Sequence, residues 1–256
     1  GPAHRPPNSS GGQSVTTQAY DLKKRIHAGE SILGVSVPMT LGKDELKSVM
    51  ERGSYDFVWV DGQHSPYSED RLASFCDAAA ELGVHVQFRI KHTRQTYLIG
   101  NYLDLGPAGV ELPQVELGST VDDAVDNFYY PQAGIRSWGG SGRIGLDEHP
   151  DRLDYADWWG QTGVLWIQIE STDAVTNAGK LARSGVDCLS FGPADLSFSL
   201  ESNPIHPLKT VDDCVKHVVD QLSGTSVAVC FRVYSRDDLQ KYRDMGVSML
   251  LIPMTA

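Results

Sequence analysis

Short apolar runs alternate with amphipathic stretches along most of this chain. Ile32 to Val37, Phe57 to Asp61, Val84 to Ile90, Gly109 to Val115, Val164 to Ile169, Val186 to Phe191, Thr225 to Val233 and Val247 to Ile252 each read as a strand. They are too short for buried helices and rich in β-branched and aromatic residues, the signature of strands covered on both faces. Between them the pattern predicts helices over Lys43 to Arg52, Glu69 to Leu82, Thr93 to Leu105, Thr120 to Tyr129, Thr172 to Arg183, Val211 to Leu222 and Arg236 to Met245. The first of these carries Asp44 and Glu45 in its opening turn, where the helix dipole favours acids. A long loop spans Pro131 to Pro150. Eight strands separated by helices predict a closed parallel (β/α)₈ barrel rather than an open doubly wound sheet. The sequence reaches Ala256 with no helical segment after the eighth strand, so the final helix is expected to be missing.

Two of the strands end in carboxylates. Val164-Leu165-Trp166-Ile167 runs on to Glu170, and Val186 to Phe191 breaks at Gly192-Pro193, which puts Asp195 on the loop that follows. Adjacent parallel strands deliver both acids to one edge, the edge where such sheets do chemistry. Two close carboxylates repel unless a cation lies between them, and hard oxygen donors with room for water suit Mg²⁺ or Mn²⁺. Spacing alone equally allows Glu170 to cap a helix and Asp195 to open a turn.

Composition narrows the partners. A chain of 256 residues with net charge −11 suits one barrel domain and argues against nucleic acid or an anionic membrane as partner, leaving a small molecule. Cys76, Cys188, Cys214 and Cys230 show no C-x-x-C spacing and read as reduced core residues, which fits the cytoplasm. No apolar stretch is long enough to cross a bilayer. Residues 1–14, rich in Gly, Pro and Ser, read as a disordered tail that opens on a protease-cleavage scar, which leaves residues 15–256 as the domain.

The other strand ends add Asp61-Gly62-Gln63-His64 after the second strand, Arg89 at the third and Gln168 at the fifth. A base, a cation, two acids and a Gly-Pro loop offering backbone amides suit a 2-oxo acid and its enolate. A divalent ion would polarise the keto group, Arg89 would hold the enolate charge, and His64 is the natural base near neutral pH.

The motifs Trp59-Val-Asp-Gly-Gln-His-Ser-Pro, Tyr102-Leu-Asp-Leu-Gly, Tyr130-Pro-Gln-Ala-Gly-Ile-Arg, Ile167-Gln-Ile-Glu-Ser and Phe191-Gly-Pro-Ala-Asp-Leu-Ser follow one another in that order. Together the chain resembles the HpcH/HpaI family of metal-dependent, pyruvate-using class II aldolases, which includes 2-keto-3-deoxy sugar acid aldolases and macrophomate synthase. The resemblance implies a TIM barrel of the phosphoenolpyruvate/pyruvate-domain type. It implies that Glu170 and Asp195 ligate a divalent ion (Mg²⁺, with Mn²⁺ or Co²⁺ as alternatives), that His64 is the catalytic base oriented by Asp61, and that Arg89 holds the substrate's carbonyl and enolate oxygen. Gln168 would orient the oxo acid, and the amides of the Gly192-Pro193-Ala194-Asp195 turn would bind its carboxylate. Asp104 resembles a residue that reaches a neighbouring subunit's site, in hexamers built as trimers of dimers that exchange the last helix. The implied reaction joins or cleaves a pyruvate-derived enolate and an aldehyde or other acceptor.

The chain departs from that pattern at Gln63, where the family has Glu, and at the final helix. Glu111 is a further oddity, an acid where an apolar strand residue is usual, facing either the cavity or a neighbour. Two alternatives follow: an oxaloacetate decarboxylase that passes its enolate to an acceptor, as macrophomate synthase does, and a non-catalytic binding protein on a degenerate barrel. Gly140-Ser-Gly142-Arg-Ile-Gly145 matches G-x-G-x-x-G without the preceding strand that a dinucleotide site needs, and reads as a mobile loop whose Arg136 and Arg143 face an acidic second substrate. Trp158-Trp159 reads as packing between that loop and the barrel.

Overall fold

A computed structural model of the protein describes residues 20–256; the expected tail over residues 1–14 lies outside them. Eight parallel strands close into a barrel in sequence order. They are β1 (Ile32–Ser36), β2 (Phe57–Asp61), β3 (Val86–Arg89), β4 (Gly109–Leu112), β5 (Val164–Ile169), β6 (Cys188–Phe191), β7 (Ala228–Arg232) and β8 (Met249–Pro253). The α-helices are α1 (Leu22–His27), α2 (Lys43–Gly53), α3 (Glu69–Glu81), α4 (Ile99–Leu103), α5 (Gly118–Phe128), α6 (Arg152–Thr162), α7 (Thr172–Thr176), α8 (Ala178–Leu181), α9 (Pro193–Ser202), α10 (Val211–Leu222) and α11 (Leu239–Asp244).

Side chains alternate along each strand, so one parity lines the barrel interior and the other packs on the helices. The interior cluster holds Ile32, Phe57, Trp59, Val164, Trp166, Cys188, Ala228, Cys230, Met249 and Leu251, while Val58, Val60, Leu165, Ile167, Leu189 and Leu250 belong to the layer between strands and helices. Gly34 makes room for this filling: a Cβ there would fall 2.1 Å from the Phe57 ring. α1 seals the lower end, with Leu22 and Ile26 inside the interior cluster. Lys23 ties that helix down through the Tyr129 hydroxyl and the Gly163 carbonyl.

Three helices were not expected from the pattern. α1 is too short for a helical period to show. α6 is capped by Asp151, whose side chain accepts from the Asp154 amide; it carries Trp158, stacked on His149 of the long loop, and Trp159, buried against Phe128, so the expected packing of these two residues between loop and barrel is made from a helix. α9 overturns the reading of Asp195 as a loop residue. Gly-Pro reads as a break, yet Pro193 is the first residue of the helix with Gly192 as its N-cap. Proline suits that position because its missing N–H would be unpaired there anyway. Three expected helices are instead broken: Thr93–Leu98 is a 3₁₀ segment ahead of α4, α7 and α8 part at Asn177, and a 3₁₀ turn over Arg236–Asp238 precedes α11.

All four cysteines are buried free thiols. Among the described residues no helix is long and apolar enough to cross a membrane.

Candidate active site

Inward parity carries the chemistry. Counting up each strand in steps of two from the interior filling reaches Asp61 on β2, Arg89 on β3, Glu111 on β4, Gln168 and Glu170 on and just after β5, Ser190 on β6 and Arg232 on β7. Neighbouring strands set Asp61 opposite Arg89 and Arg89 opposite Glu111. Above this layer lies a cavity of about 740 Å³ at the carboxyl ends of the strands, lined among others by Asp61, His64, Arg89, Gln168, Glu170, Gly192, Pro193, Ala194, Asp195 and Arg232.

Asp61 is the fastening point. Its carboxylate accepts from Arg89 Nε at 2.9 Å, from the amides of Gln63 (2.8 Å) and His64 (3.1 Å), and from Ser65 Oγ (3.4 Å). Burial works against its charge, but the Arg89 guanidinium and these amides outweigh it and hold Asp61 below the usual carboxylate range. Asp61 is expected to orient His64; its contact is to the backbone of the turn that carries that residue, whose side chain is exposed at the cavity wall. The reason is local, since a carboxylate ending a strand captures the amides two and three residues on. Gln63 takes part only through its amide; its side-chain oxygen is buried without a partner and is not among the atoms lining the cavity.

Arg89 also donates to Gln168 Oε1 at 3.4 Å and lies 4.9 Å from the centre of the Trp59 ring. Trp59 is held from below, its Nε1 donating to Glu111 Oε1 at 3.0 Å, while Ser190 Oγ donates to the other Glu111 oxygen. Glu111 therefore faces the barrel interior rather than a neighbour, and it is 2% exposed.

Glu170 is 8% exposed, and burial pushes its carboxyl up to about 7, with the charges of Asp195 and Glu111 adding to the shift. The Gln114 amide, donating to Oε2 at 2.9 Å, and the Arg89 charge pull the other way. Gln114 reaches that position in the left-handed region, φ +50°, a conformation that a non-glycine residue adopts at a cost. Asp195 stands in the first turn of α9, and both acids also line a second, smaller cavity beside the first. The Ala194 and Asp195 amides belong to that same first turn, which leaves them without helical acceptors.

Two carboxylates set against each other, one of them raised towards neutrality, fit a divalent ion: hard oxygen donors on one side and open cavity for water and substrate on the other. Among the described residues no group of three or more His, Cys, Asp or Glu side chains is arranged for a metal, so an ion here would take two side chains, those of Glu170 and Asp195, at most.

Asp104 is not in this cavity. It pairs with Arg136 (2.9 Å), which is buried over Tyr130 (4.6 Å) and Trp159 (5.0 Å). Arg143 packs over Trp138 (4.1 Å) and Tyr155 (4.9 Å). Both arginines thus fasten the 131–150 loop to α6, and neither opens onto the cavity as expected for an acidic second substrate. Gly140 to Gly145 is a run of turns with no strand before it, unlike a dinucleotide loop. Arg232 was missed: it does line the cavity, and the alternation Ala228-x-Cys230-x-Arg232 carries the signal.

The fold and the cavity define a (β/α)₈ barrel with acids and arginines at its mouth, and its family and relatives make it a carbon–carbon lyase. Residues 39–246 match the HpcH/HpaI aldolase/citrate lyase family, and the chain belongs to it. Similar relatives include a hydroxypyruvate/pyruvate aldolase of Delftia acidovorans, 28% identical over 77% of this chain and 73% of its own. The HpcH/HpaI aldolase structure from Desulfitobacterium hafniense superposes with a TM-score of 0.80 at 27% identity, covering 91% of this chain and 89% of its own. Macrophomate synthase shares the fold with a TM-score of 0.74 at 20% identity, over 92% of this chain and 82% of its own. Relatives that are aldolases support an enzyme over a non-catalytic barrel.

Proposed function

We propose that the protein is a divalent-metal-dependent aldolase that makes or cleaves the bond between the methyl carbon of a pyruvate-type 2-oxo acid and an aldehyde. The observation that carries this is the Glu170–Asp195 pair beside Arg89 in one cavity, with Glu170 raised to about 7 by burial first and by Asp195 next. An ion held by Glu170 and Asp195 would supply Lewis-acid polarisation of the keto group.

The protein's own groups do the rest. The Ala194 and Asp195 amides at the start of α9 bind the oxo acid's carboxylate, as helix N-termini do. Arg89, kept charged by Asp61, stands where negative charge grows on the carbonyl oxygen during proton loss. Gln168, engaged by Arg89, orients the acid. His64 takes a proton from the methyl carbon and, in cleavage, accepts the proton of the hydroxyl that becomes the aldehyde. The floor of Trp59, Glu111 and Ser190 is a closed hydrogen-bonded unit that keeps water from entering below.

Assembly belongs to the same reading. Asp104 lies outside this chain's cavity, so a part in the reaction requires the mouth of a neighbouring copy. Light scattering of the purified protein reports whether such copies associate.

The test is deuterium exchange. With Mg²⁺ or Mn²⁺ in D₂O, the methyl protons of pyruvate exchange by NMR without any aldehyde, and Glu170→Gln abolishes it; exchange that is absent, or indifferent to the metal, overturns the reading.

A further inference from the structure

Arg232 closes β7 on the inward side, and its guanidinium lies 4.3 Å from the centre of the Trp59 ring, the same ring that carries Arg89. Both line the cavity. They differ in company. Arg89 is paired with Asp61, whereas Arg232 has no hydrogen-bonded or ionic partner among the described residues although it is half-buried. A partly desolvated guanidinium left unpaired is costly, and stacking on an indole offsets only part of that. Its planar fork is shaped for a carboxylate.

The charges of the cavity point the same way. Three guanidiniums line it, those of Arg71, Arg89 and Arg232, against the carboxylates of Asp61, Glu170 and Asp195. Asp61 is engaged by Arg89, and the other two acids face the ion of the proposed function. Pyruvate brings one carboxylate, for which the amides of α9 are the receptor. Arg232 and Arg71 then remain without a counter-charge, and only Arg232 is fixed in place, by a ring that Glu111 anchors. The cavity is complementary to a ligand with a second negative group.

We propose that Arg232 is the specificity residue for a second carboxylate, carried by the acceptor aldehyde or by the far carbon of the 2-oxo acid itself. This rests on the aldolase reading above and narrows its substrates to anionic partners. The role is recognition: Arg232 forms a charge-assisted pair with that carboxylate and exchanges no proton.

The experiment compares matched partners in the metal-loaded wild type, Arg232→Gln and Arg232→Lys. For the acceptor, kcat/KM with pyruvate is measured against succinate semialdehyde and against butyraldehyde. For the oxo acid, binding of 2-oxoglutarate and of 2-oxovalerate is followed by calorimetry, which needs no turnover. The expected result is that Arg232→Gln lowers the anionic-over-neutral ratio roughly 10- to 100-fold in one of the two comparisons, chiefly through KM or Kd, and that Lys restores part of it. The comparison that changes says which molecule carries the carboxylate. Ratios are taken within each variant, so a general loss of activity cancels. Ratios unchanged in both comparisons overturn the proposal. Wild type that fails to exchange pyruvate protons overturns the aldolase reading instead, and the calorimetric ratio still decides the role of Arg232.

Discussion

Glu170 lies in the space that a side chain at Gly192 would need: a Cβ at Gly192 would fall 2.0 Å from Glu170 Oε1. The glycine at the end of β6 is thereby what lets an acid from β5 reach across to α9. Gly192→Ala is expected to push the carboxylate aside at little cost to the fold, because the displaced group is the end of a flexible chain. Mn²⁺ affinity, read by electron paramagnetic resonance, should fall roughly 10- to 100-fold while the melting temperature barely moves.

Gly34→Ala is the contrasting case. The colliding group there is the rigid Phe57 ring inside the barrel, 2.1 Å away, and nothing around it can give. The substitution should destabilise the protein by about 1–3 kcal/mol in urea titration while leaving metal affinity unchanged in the folded fraction.

Acid and base affect stability through two buried groups with opposite signs. Glu170, raised to about 7, favours the folded state while protonated; that contribution is full below the usual glutamate range and lost as pH rises through about 7. Without metal, Glu170→Gln should therefore be more stable than wild type at pH 8, by about 3 kcal/mol, and no more stable at pH 4. His85 runs the other way. Burial holds it neutral, down to about 4, so its contribution is present above the usual histidine value and is lost as pH falls. Urea titrations of both proteins across pH 4 to 8 separate the two slopes.

His64 and Asp61 should fail differently. His64→Ala removes a proton carrier from an exposed turn and should abolish pyruvate proton exchange with no change in stability; decarboxylation of oxaloacetate, which needs no base, should persist. Asp61→Asn leaves the buried Arg89 without its counter-charge, and should cost about 3 kcal/mol of stability besides most of the activity. Denaturation curves beside the two assays tell the variants apart.

Strands were legible because a strand buried on both faces is a dense apolar run, and the acids ending β2 and β5 stand out against it. Helices were legible where they expose one polar face, as α3 and α10 do. The rest lay hidden for physical reasons. Asp195 reads as a loop residue because Gly-Pro ends a strand and begins a helix with the same two letters. Arg232 stands alone among apolar neighbours, and only the alternation of the whole strand marks it as facing inward. The task of Asp61, to hold a turn by its amides, depends on backbone geometry that no side-chain pattern reports.

With α1 plugging the lower end, the barrel is a cup with one rim. Whatever enters must also leave by the same doorway, so two reactants queue rather than meet from opposite sides. On the proposed reading, an oxo acid seated deepest against the α9 amides would go in first and be the last to depart, and a product still lodged at the rim would bar the next round.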